Sequence, residues 1–139
     1  MTFIALDEFS NAGNSTKTHH MNHDGAIHVH KSIEVQSDRI PTLLVNAFPD
    51  DVSGYNIQII TENFEFSPRS INMENVQNQG HVHIYINDEK IARAYGEWFH
   101  LDDHHIGDDM NILRVTLNSN DHSEWSINTN PIEVSTVLN

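Results

Sequence analysis

The stretch GHVHIYINDEKIARAY, residues 80–95, decides the fold class of this chain. Its first half alternates histidine or tyrosine with valine or isoleucine, which is the period-two pattern of a β-strand with one apolar face. The polar residues 87–90, Asn-Asp-Glu-Lys, interrupt this pattern before a second apolar run begins. Two short strands joined by a polar turn predict a β-hairpin over residues 81–95.

Similar runs of β-branched and aromatic residues, separated by Asn, Asp, Gly and Pro, lie on both sides of the hairpin. They predict an all-β sandwich, as in immunoglobulin-like folds, with about seven strands bounded by turns. No segment has a sustained 3.6-residue apolar period, and at most one helical turn is expected near residues 68–76. The strands are predicted near residues 27–36, 41–47, 55–62, 81–87, 90–95, 110–117 and 131–138.

A length of 139 residues predicts one domain with a tail. Residues 10–25 are small and polar and offer little to bury. We therefore expect a flexible, histidine-rich tail over residues 1–25 and the β-sandwich over residues 26–139. The amino terminus has no basic region followed by an apolar stretch, so either the protein is cytoplasmic or a leader has been removed.

The net charge of −13, from seven basic and twenty acidic residues, argues against nucleic acid and anionic membrane surfaces as partners. No apolar run approaches the roughly 20 residues needed to span a bilayer, so no membrane insertion is expected. An acidic protein with eleven histidines suits a metal cation, because carboxylates attract the ion and neutral imidazoles bind it. A merely solvated acidic surface is an equal alternative.

The strand that begins at residue 81 carries the first candidate metal ligands. Val82, Ile84 and Ile86 are expected to face the core, which leaves His81, His83 and Tyr85 on the opposite face. Imidazoles at positions i and i+2 lie about 7 Å apart and can converge on one ion. A single histidine on a strand is more often only hydrogen-bonded, but the H-x-H pair favours metal binding.

Two further histidines complete the candidate ligand set of His81, His83, His100 and His122. His100 shares a predicted face with Trp98, which is expected to shield the site. His122 lies in a turn-rich loop, where Asp121 and Glu124 are expected to hold its second ring nitrogen. His104 and His105 are weaker candidates, because adjacent residues rarely serve one ion.

The residue types narrow the choice of metal. The chain has no cysteine, which excludes thiolate sites, and it has no D-x-D-x-D-G calcium loop. A site dominated by imidazoles points to copper, zinc or nickel. Copper is the leading choice, because affinity for nitrogen ligands peaks there, and zinc is the alternative.

A second histidine cluster lies near the amino terminus. A thioether among imidazoles suits copper, so this cluster is a candidate secondary metal site. The equal alternative is a histidine-rich run that binds metals weakly, or a remnant of cloning. Its candidate ligands are His19, His20, Met21, His23, His28 and His30.

The segments TENFEFSP (61–68), GHVHIYINDEKIARAYGEWFHL (80–101) and LNSNDHSEW (117–125) resemble a group of poorly characterised bacterial domains. Their shared motifs are a G-H-x-H-x-Y hairpin, an I-A-R-x-Y-G-x-W-x-H stretch and an N-D-H-S-E loop, and the resemblance covers roughly residues 50–137. It implies a cupredoxin-like β-sandwich of an exported or periplasmic protein that handles copper. The histidines shared with the group are His81, His83, His100 and His122. The acidic LDDHHIGDD segment departs from the group, and the absence of cysteine excludes a blue-copper thiolate centre.

The leading functional hypothesis is a copper-binding protein for metal binding, delivery or resistance, which would pass its ion to a delivery partner. The alternatives are a copper- or zinc-dependent enzyme with an open coordination position, and a recognition module without metal that uses Tyr85, Tyr95 and Trp98. The sequence assigns no catalytic residue, and enzymatic activity is the less favoured hypothesis. Edge strands of the sandwich offer a surface for pairing with a second copy of the chain.

Overall fold

The computed structural model describes residues 30–139, together with the backbone of two short strands that precede them. Regular structure in this part of the chain is almost all β-strand, with single-turn 3₁₀ helices at Pro68–Ser70 and Asp103–His105. None of the helices among these residues is long and apolar enough to cross a membrane. In chain order the strands are β1 (His20–Met21), β2 (Ile27–His28), β3 (Ser32–Glu34), β4 (Thr42–Pro49), β5 (Tyr55–Glu62), β6 (Glu65–Phe66), β7 (Gln79–Ile86), β8 (Glu89–Ala94), β9 (Trp98–Leu101), β10 (Asn111–Asn118), β11 (Glu124–Ile127), β12 (Asn130–Pro131) and β13 (Glu133–Leu138).

An eight-stranded and a three-stranded sheet form a sandwich, which confirms the predicted all-β fold. Strands occur at all seven predicted positions, although the first prediction is divided between β2 and β3. The expected helical turn is the 3₁₀ helix Pro68–Ser70. The strands predicted from the sequence do not include β1, β6, β9 and β11, because these strands are short and β11 directly follows a run of turn residues. For β9 only the alternation of its side chains was predicted.

Strand β10 lies at the centre of the eight-stranded sheet. Along one edge it pairs antiparallel with β7, in a register that places Thr116 opposite His83 and Asn118 opposite His81. Along the other edge it pairs with β13 and, at its end, with β11. Strand β7 pairs in turn with β8, while β3, β6 and β12 extend the sheet at its margins. The two candidate ligands of β7 therefore lie in the interior of the large sheet.

The three-stranded sheet has the order β4-β5-β9, and all its pairs are antiparallel. Residues 55–58 of β5 pair with β9, so the W-x-H stretch belongs to this smaller sheet. Exposed and covered side chains alternate along β9: Phe99 and Leu101 turn toward the core, while Trp98 and His100 are exposed. The predicted parity of β9 is therefore right, and its outer face points away from the large sheet.

The hydrophobic core lies between the two sheets. It is built from apolar side chains at every second position of the long strands, as the alternation in the sequence predicts. Complete burial of each such side chain stabilises the fold by about 1.5–3 kcal/mol. The long strands contribute Val82, Ile84 and Ile86 from β7, Leu113, Val115 and Leu117 from β10, and Ile57 and Ile59 from β5.

The predicted hairpin is present, with a tighter turn than expected. Asn87 and Asp88 alone connect β7 to β8, with φ angles of 49° and 67°. A two-residue turn with both φ angles positive matches the twist of the paired strands, and Asn and Asp tolerate this conformation. A bulge after Ile84 adjusts the register, so that Arg93 lies opposite His83 and Lys90 lies opposite Tyr85.

The amino-terminal predictions fall mainly outside the described residues. The flexible tail over residues 1–25 lies there, as do the side chains of the candidate secondary ligands other than His30. The backbone of β1 pairs with that of β2, which places His20 opposite His28. Strand β3 then joins the large sheet beside β11 in parallel orientation.

Gly80 permits the close approach of β7 to β10 immediately before the first candidate ligand. A Cβ atom at this position would lie 1.7 Å from the carbonyl oxygen of Asn118, and the φ angle of 150° is one that other residues rarely adopt. Since the obstacle is backbone rather than a flexible side chain, it cannot move aside without shifting β10. The glycine of the G-H-x-H motif is therefore a packing requirement of the strand pair.

Replacing Gly80 with alanine should lower the free energy of unfolding by about 3 kcal/mol, because it adds a backbone clash to an unfavourable φ angle. Urea denaturation measures this change. The matched control is Gly96→Ala, since a Cβ atom there meets nothing within 4 Å. We expect the control to stay within about 1 kcal/mol of the parent protein. Equal stability of the two variants would refute the packing role of Gly80.

Candidate metal centre

Three of the four predicted ligands come together on the outer face of the large sheet. His81 and His83 reach this point from β7, and His122 reaches it from the turn between β10 and β11. The Nε2 atoms of His81 and His83 are 2.9 Å apart. The Nδ1 atom of His122 lies 3.2 Å from the first and 3.4 Å from the second.

Both histidines of β7 are buried although they face away from the core. The exposed fractions are 1% for His81 and 4% for His83. Burial, assisted by positive charge on neighbouring side chains, lowers the pKa of His81 to about 4 and that of His83 to about 2. Burial also lowers the pKa of His122. At neutral pH all three rings are therefore uncharged, which is the form that binds metals.

The spacing of the three nitrogen atoms fits one metal ion. Imidazole nitrogens bind zinc at about 2.0–2.1 Å, and a tetrahedral arrangement then separates them by about 3.3 Å. The observed separations of 2.9–3.4 Å lie close to this value. The three histidines are thus a group that can hold a metal ion without large movement.

Hydrogen bonds among the three rings cannot satisfy all the contacts in this triangle. Each nitrogen of a neutral imidazole carries either a proton or a lone pair, and a hydrogen bond needs one of each. Among three nitrogens that are each either a donor or an acceptor, at least one of the three contacts joins two donors or two acceptors. A cation at the centre would accept a lone pair from each of the three nitrogens. The arrangement therefore favours metal binding over hydrogen bonding among the rings.

Asn72 sets the orientation and the proton position of the His122 ring. The Nε2–H group of His122 donates to the Asn72 side-chain oxygen over 2.8 Å, which leaves the lone pair on Nδ1, inside the cluster. The sequence assigned this role to Asp121 and Glu124, and that prediction is wrong. Asn72 lies 50 residues earlier in the chain, and no local pattern marks it.

Asp121 holds the backbone of the turn instead. Its carboxylate accepts hydrogen bonds from the Ser119 hydroxyl at 2.7 Å and from the Ser123 backbone N–H at 3.0 Å. These bonds outweigh the opposing effect of burial and keep the pKa of Asp121 well below its usual range. His122 occupies a left-handed backbone conformation with a φ of 69°, so its ring position depends on this local network.

Glu124 contacts the segment before β3 instead of the His122 ring. Its carboxylate lies 3.3 Å from Nδ1 of His30, and its backbone N–H donates to the carbonyl oxygen of Lys31 at 2.7 Å. The ring of His30 also meets the edge of Tyr85, with ring centroids 6.3 Å apart. Glu124 therefore ties the segment before β3 to the large sheet.

His100 does not join the cluster, because β9 belongs to the smaller sheet. Its Nδ1 atom instead lies 2.9 Å from the side-chain oxygen of Asn56 on the neighbouring strand. His104 is likewise engaged elsewhere, since its Nδ1 lies 2.8 Å from Asp102. The rings of His104 and His105 contact each other with their planes tilted by 41° and their centroids 3.8 Å apart.

Trp98 does not shield the metal cluster, and the three aromatic residues proposed as a recognition surface are separated. Trp98 is 58% exposed on the outer face of the smaller sheet, where it packs against Phe48. Tyr85 is buried, and Tyr95 packs against the ring of His81 at a centroid distance of 5.4 Å. It is Tyr95, rather than Trp98, that covers the histidine cluster.

The chain matches no known family model, and no curated protein or solved structure is significantly similar to it. The motif resemblance to cupredoxin-like bacterial domains accordingly remains a prediction. The geometry of the three histidines carries the functional argument.

Acid should destabilise the metal-free protein well above the pH at which carboxylates titrate. His81 and His83 take up protons near pH 6.5 when unfolded but only near pH 4 and pH 2 when folded. Their contribution is thus fully present above pH 6.5. The part from His81 is lost as the pH falls to about 4, and the part from His83 as it falls to about 2. We expect the free energy of unfolding to be about 2 kcal/mol lower at pH 5.5 than at pH 7.5.

Urea denaturation at the two pH values measures this difference. The double variant His81→Gln/His83→Gln should lose most of it, whereas His100→Ala should retain it. A parent protein that is equally stable at pH 5.5 and 7.5 would show that these rings are not buried in neutral form.

Proposed function

We propose that this protein binds copper through His81, His83 and His122, for binding, delivery or resistance to the metal. The observation that supports this most is the convergence of three neutral imidazole nitrogens within 3.4 Å of one another. Two come from a buried strand and one from a hydrogen-bonded turn, so the protein matrix fixes the ligand positions before any ion arrives.

Copper is proposed because of the ligand types. The chain offers no thiolate, and within the described part of the chain no carboxylate joins the three histidines in the cluster. Affinity for such nitrogen ligands increases along the divalent first-row metals up to copper and then falls at zinc. Zinc is the alternative, since a tetrahedral three-histidine set also accepts it.

Delivery or resistance requires that the ion can enter and leave. His122 is only partly buried, and its ring is held at the surface by exposed Asn72. The turn from Ser119 to Ser123 therefore forms the side of the centre that faces solvent. A location outside the cytoplasm, which the motif resemblance implies, would suit this role.

A metal-dependent enzyme is the second candidate, because three protein ligands leave one coordination position open, as in catalytic zinc sites. Such an enzyme would also need a general base, for which Glu124 and Glu97 are the candidates. Glu124 contacts His30, and Glu97 accepts a hydrogen bond from Gln58 on the smaller sheet, so neither is placed at the histidine cluster by these contacts. Turnover of ester substrates by the zinc- or copper-loaded protein would favour the enzyme over the binding protein.

Calorimetric titration of the metal-free full chain with Cu(II) should reveal one tight site per chain. His122→Asn should weaken this site at least about 100-fold, because it removes one ligand while asparagine tolerates the left-handed backbone. The matched control is His100→Ala, which removes an exposed imidazole from the other sheet and should leave the affinity unchanged.

The amino-terminal histidines need a separate control. A variant with His19, His20, His23 and His28 all changed to alanine should keep the tight site and lose only weak additional binding. If the tight site disappears in this variant but survives in His122→Asn, the proposed centre is wrong and the amino-terminal segment binds the metal.

Asn72→Ala should weaken copper binding about tenfold without unfolding the protein, because the His122 ring would lose the acceptor that fixes its orientation. Asn72 is exposed, so its removal leaves no cavity in the core. Asn46→Ala, which breaks an exposed amide contact to Gln58 on the smaller sheet, is the matched control. Unchanged affinity in Asn72→Ala would mean that the ring is held by the turn alone.

A further inference from the structure

Two cationic side chains of β8 flank the histidine centre. Arg93 lies directly opposite His83, and Lys90 lies directly opposite Tyr85. Residues directly opposite each other in an antiparallel pair project to the same side of the sheet. Lys90 and Arg93 therefore stand on the face that carries the metal ligands, along the open margin beside β7.

Neither cation forms an ion pair with an acid among the described residues. Within the described part of the chain, the ion pairs involve Arg114 and two histidines, and none includes Lys90 or Arg93. This is notable in a chain with only seven basic and twenty acidic residues. Both side chains therefore add positive charge to the sheet face that carries the three histidines.

The three histidines offer a metal cation no charged ligand among the described residues. Three neutral imidazoles supply electron pairs but no negative charge, so a bound ion keeps its full charge beside Lys90 and Arg93. Three ligands also leave a tetrahedral ion one position short. An anion in that position would satisfy the coordination and would attract both cationic side chains.

Tyr85 adds a hydrogen-bond donor next to the same site. It is the second residue after His83 on the same face of β7, with ring centroids 6.5 Å apart. Its side chain is only 3% exposed, and its hydroxyl, with Thr116 nearby, makes no hydrogen bond within 3.5 Å among the described residues. A buried hydroxyl without an acceptor is costly, and an anionic ligand is the kind of group that would accept its proton.

We propose that the histidine centre binds its metal ion together with a small anion, a carboxylate or an inorganic oxyanion, held by Lys90 and Arg93. This inference rests on the proposed metal-binding function. It identifies the ligand class of the open coordination position. A free small anion and the carboxylate of a partner protein share this chemistry.

The test uses the full chain loaded with one equivalent of Cu(II) in perchlorate buffer, with azide as the anionic probe. Azide binding to copper is followed by its charge-transfer absorption, and competition with acetate or bicarbonate gives the affinity for carboxylate-like anions. Lys90→Gln/Arg93→Gln should weaken azide binding about tenfold, because two exposed charges each contribute a few-fold. The same double variant should bind Cu(II) a few-fold more tightly when no coordinating anion is present.

If Lys90 and Arg93 had only a structural role, their replacement would not change the anion affinity and the metal affinity in opposite directions. The matched control is Arg39→Gln, whose guanidinium binds Asn63 away from the centre, and neither affinity should change more than about twofold. If the parent protein binds copper but azide binds no better than to the double variant, the inference is wrong and the proposed function stands. If the parent protein binds no metal, both are wrong.

Discussion

The antiparallel pairing of β7 with β10 is the constraint on which both the core and the histidine centre depend. This pairing sets His81 opposite Asn118 and His83 opposite Thr116, while Val82 and Ile84 face the other sheet. Because side chains alternate along a strand, a slip of one residue would bring the histidines into the core and expose the aliphatic residues. Hydrophobic burial on one face therefore positions the candidate metal ligands on the other.

The turn after β10 supplies the third histidine of the cluster, His122, which β7 cannot provide. It returns the chain over the outer face of the sheet and places His122 against two rings that lie 39 and 41 residues earlier. Hydrogen bonds to the Asp121 carboxylate and from the His122 ring to Asn72 hold this geometry. The centre thus combines a rigid strand with a hydrogen-bonded turn, which gives it fixed ligands on one side and access on the other.

The sequence could predict what depends on local periodicity. Alternation in β5, β7 and β10 predicted the buried faces, and the H-x-H pair on β7 predicted two of the three histidines that come together. Sheet membership depends on long-range pairing, so His100 and Trp98 were assigned to the wrong surface although their parity along β9 was right. The motif resemblance and the loop context suggested His122, but nothing local identified Asn72 as its partner.

The burial of His81 and His83 could likewise not be predicted from the sequence, because the groups that cover them come from distant segments. Tyr95 packs against His81, and the turn that carries His122 closes over the strand. This burial changes the chemistry, since it keeps the imidazoles neutral and gives an ion few competing water molecules. The secondary histidine cluster lies mostly outside the described residues and remains a prediction.

The most direct measurement is anomalous diffraction at the copper absorption edge from crystals of the copper-loaded, dialysed protein. We expect one strong peak per chain, at about 2.0–2.1 Å from Nε2 of His81, Nε2 of His83 and Nδ1 of His122. A copper peak elsewhere, or no peak while the three rings keep their mutual contacts, would contradict a metal centre on the face of the large sheet.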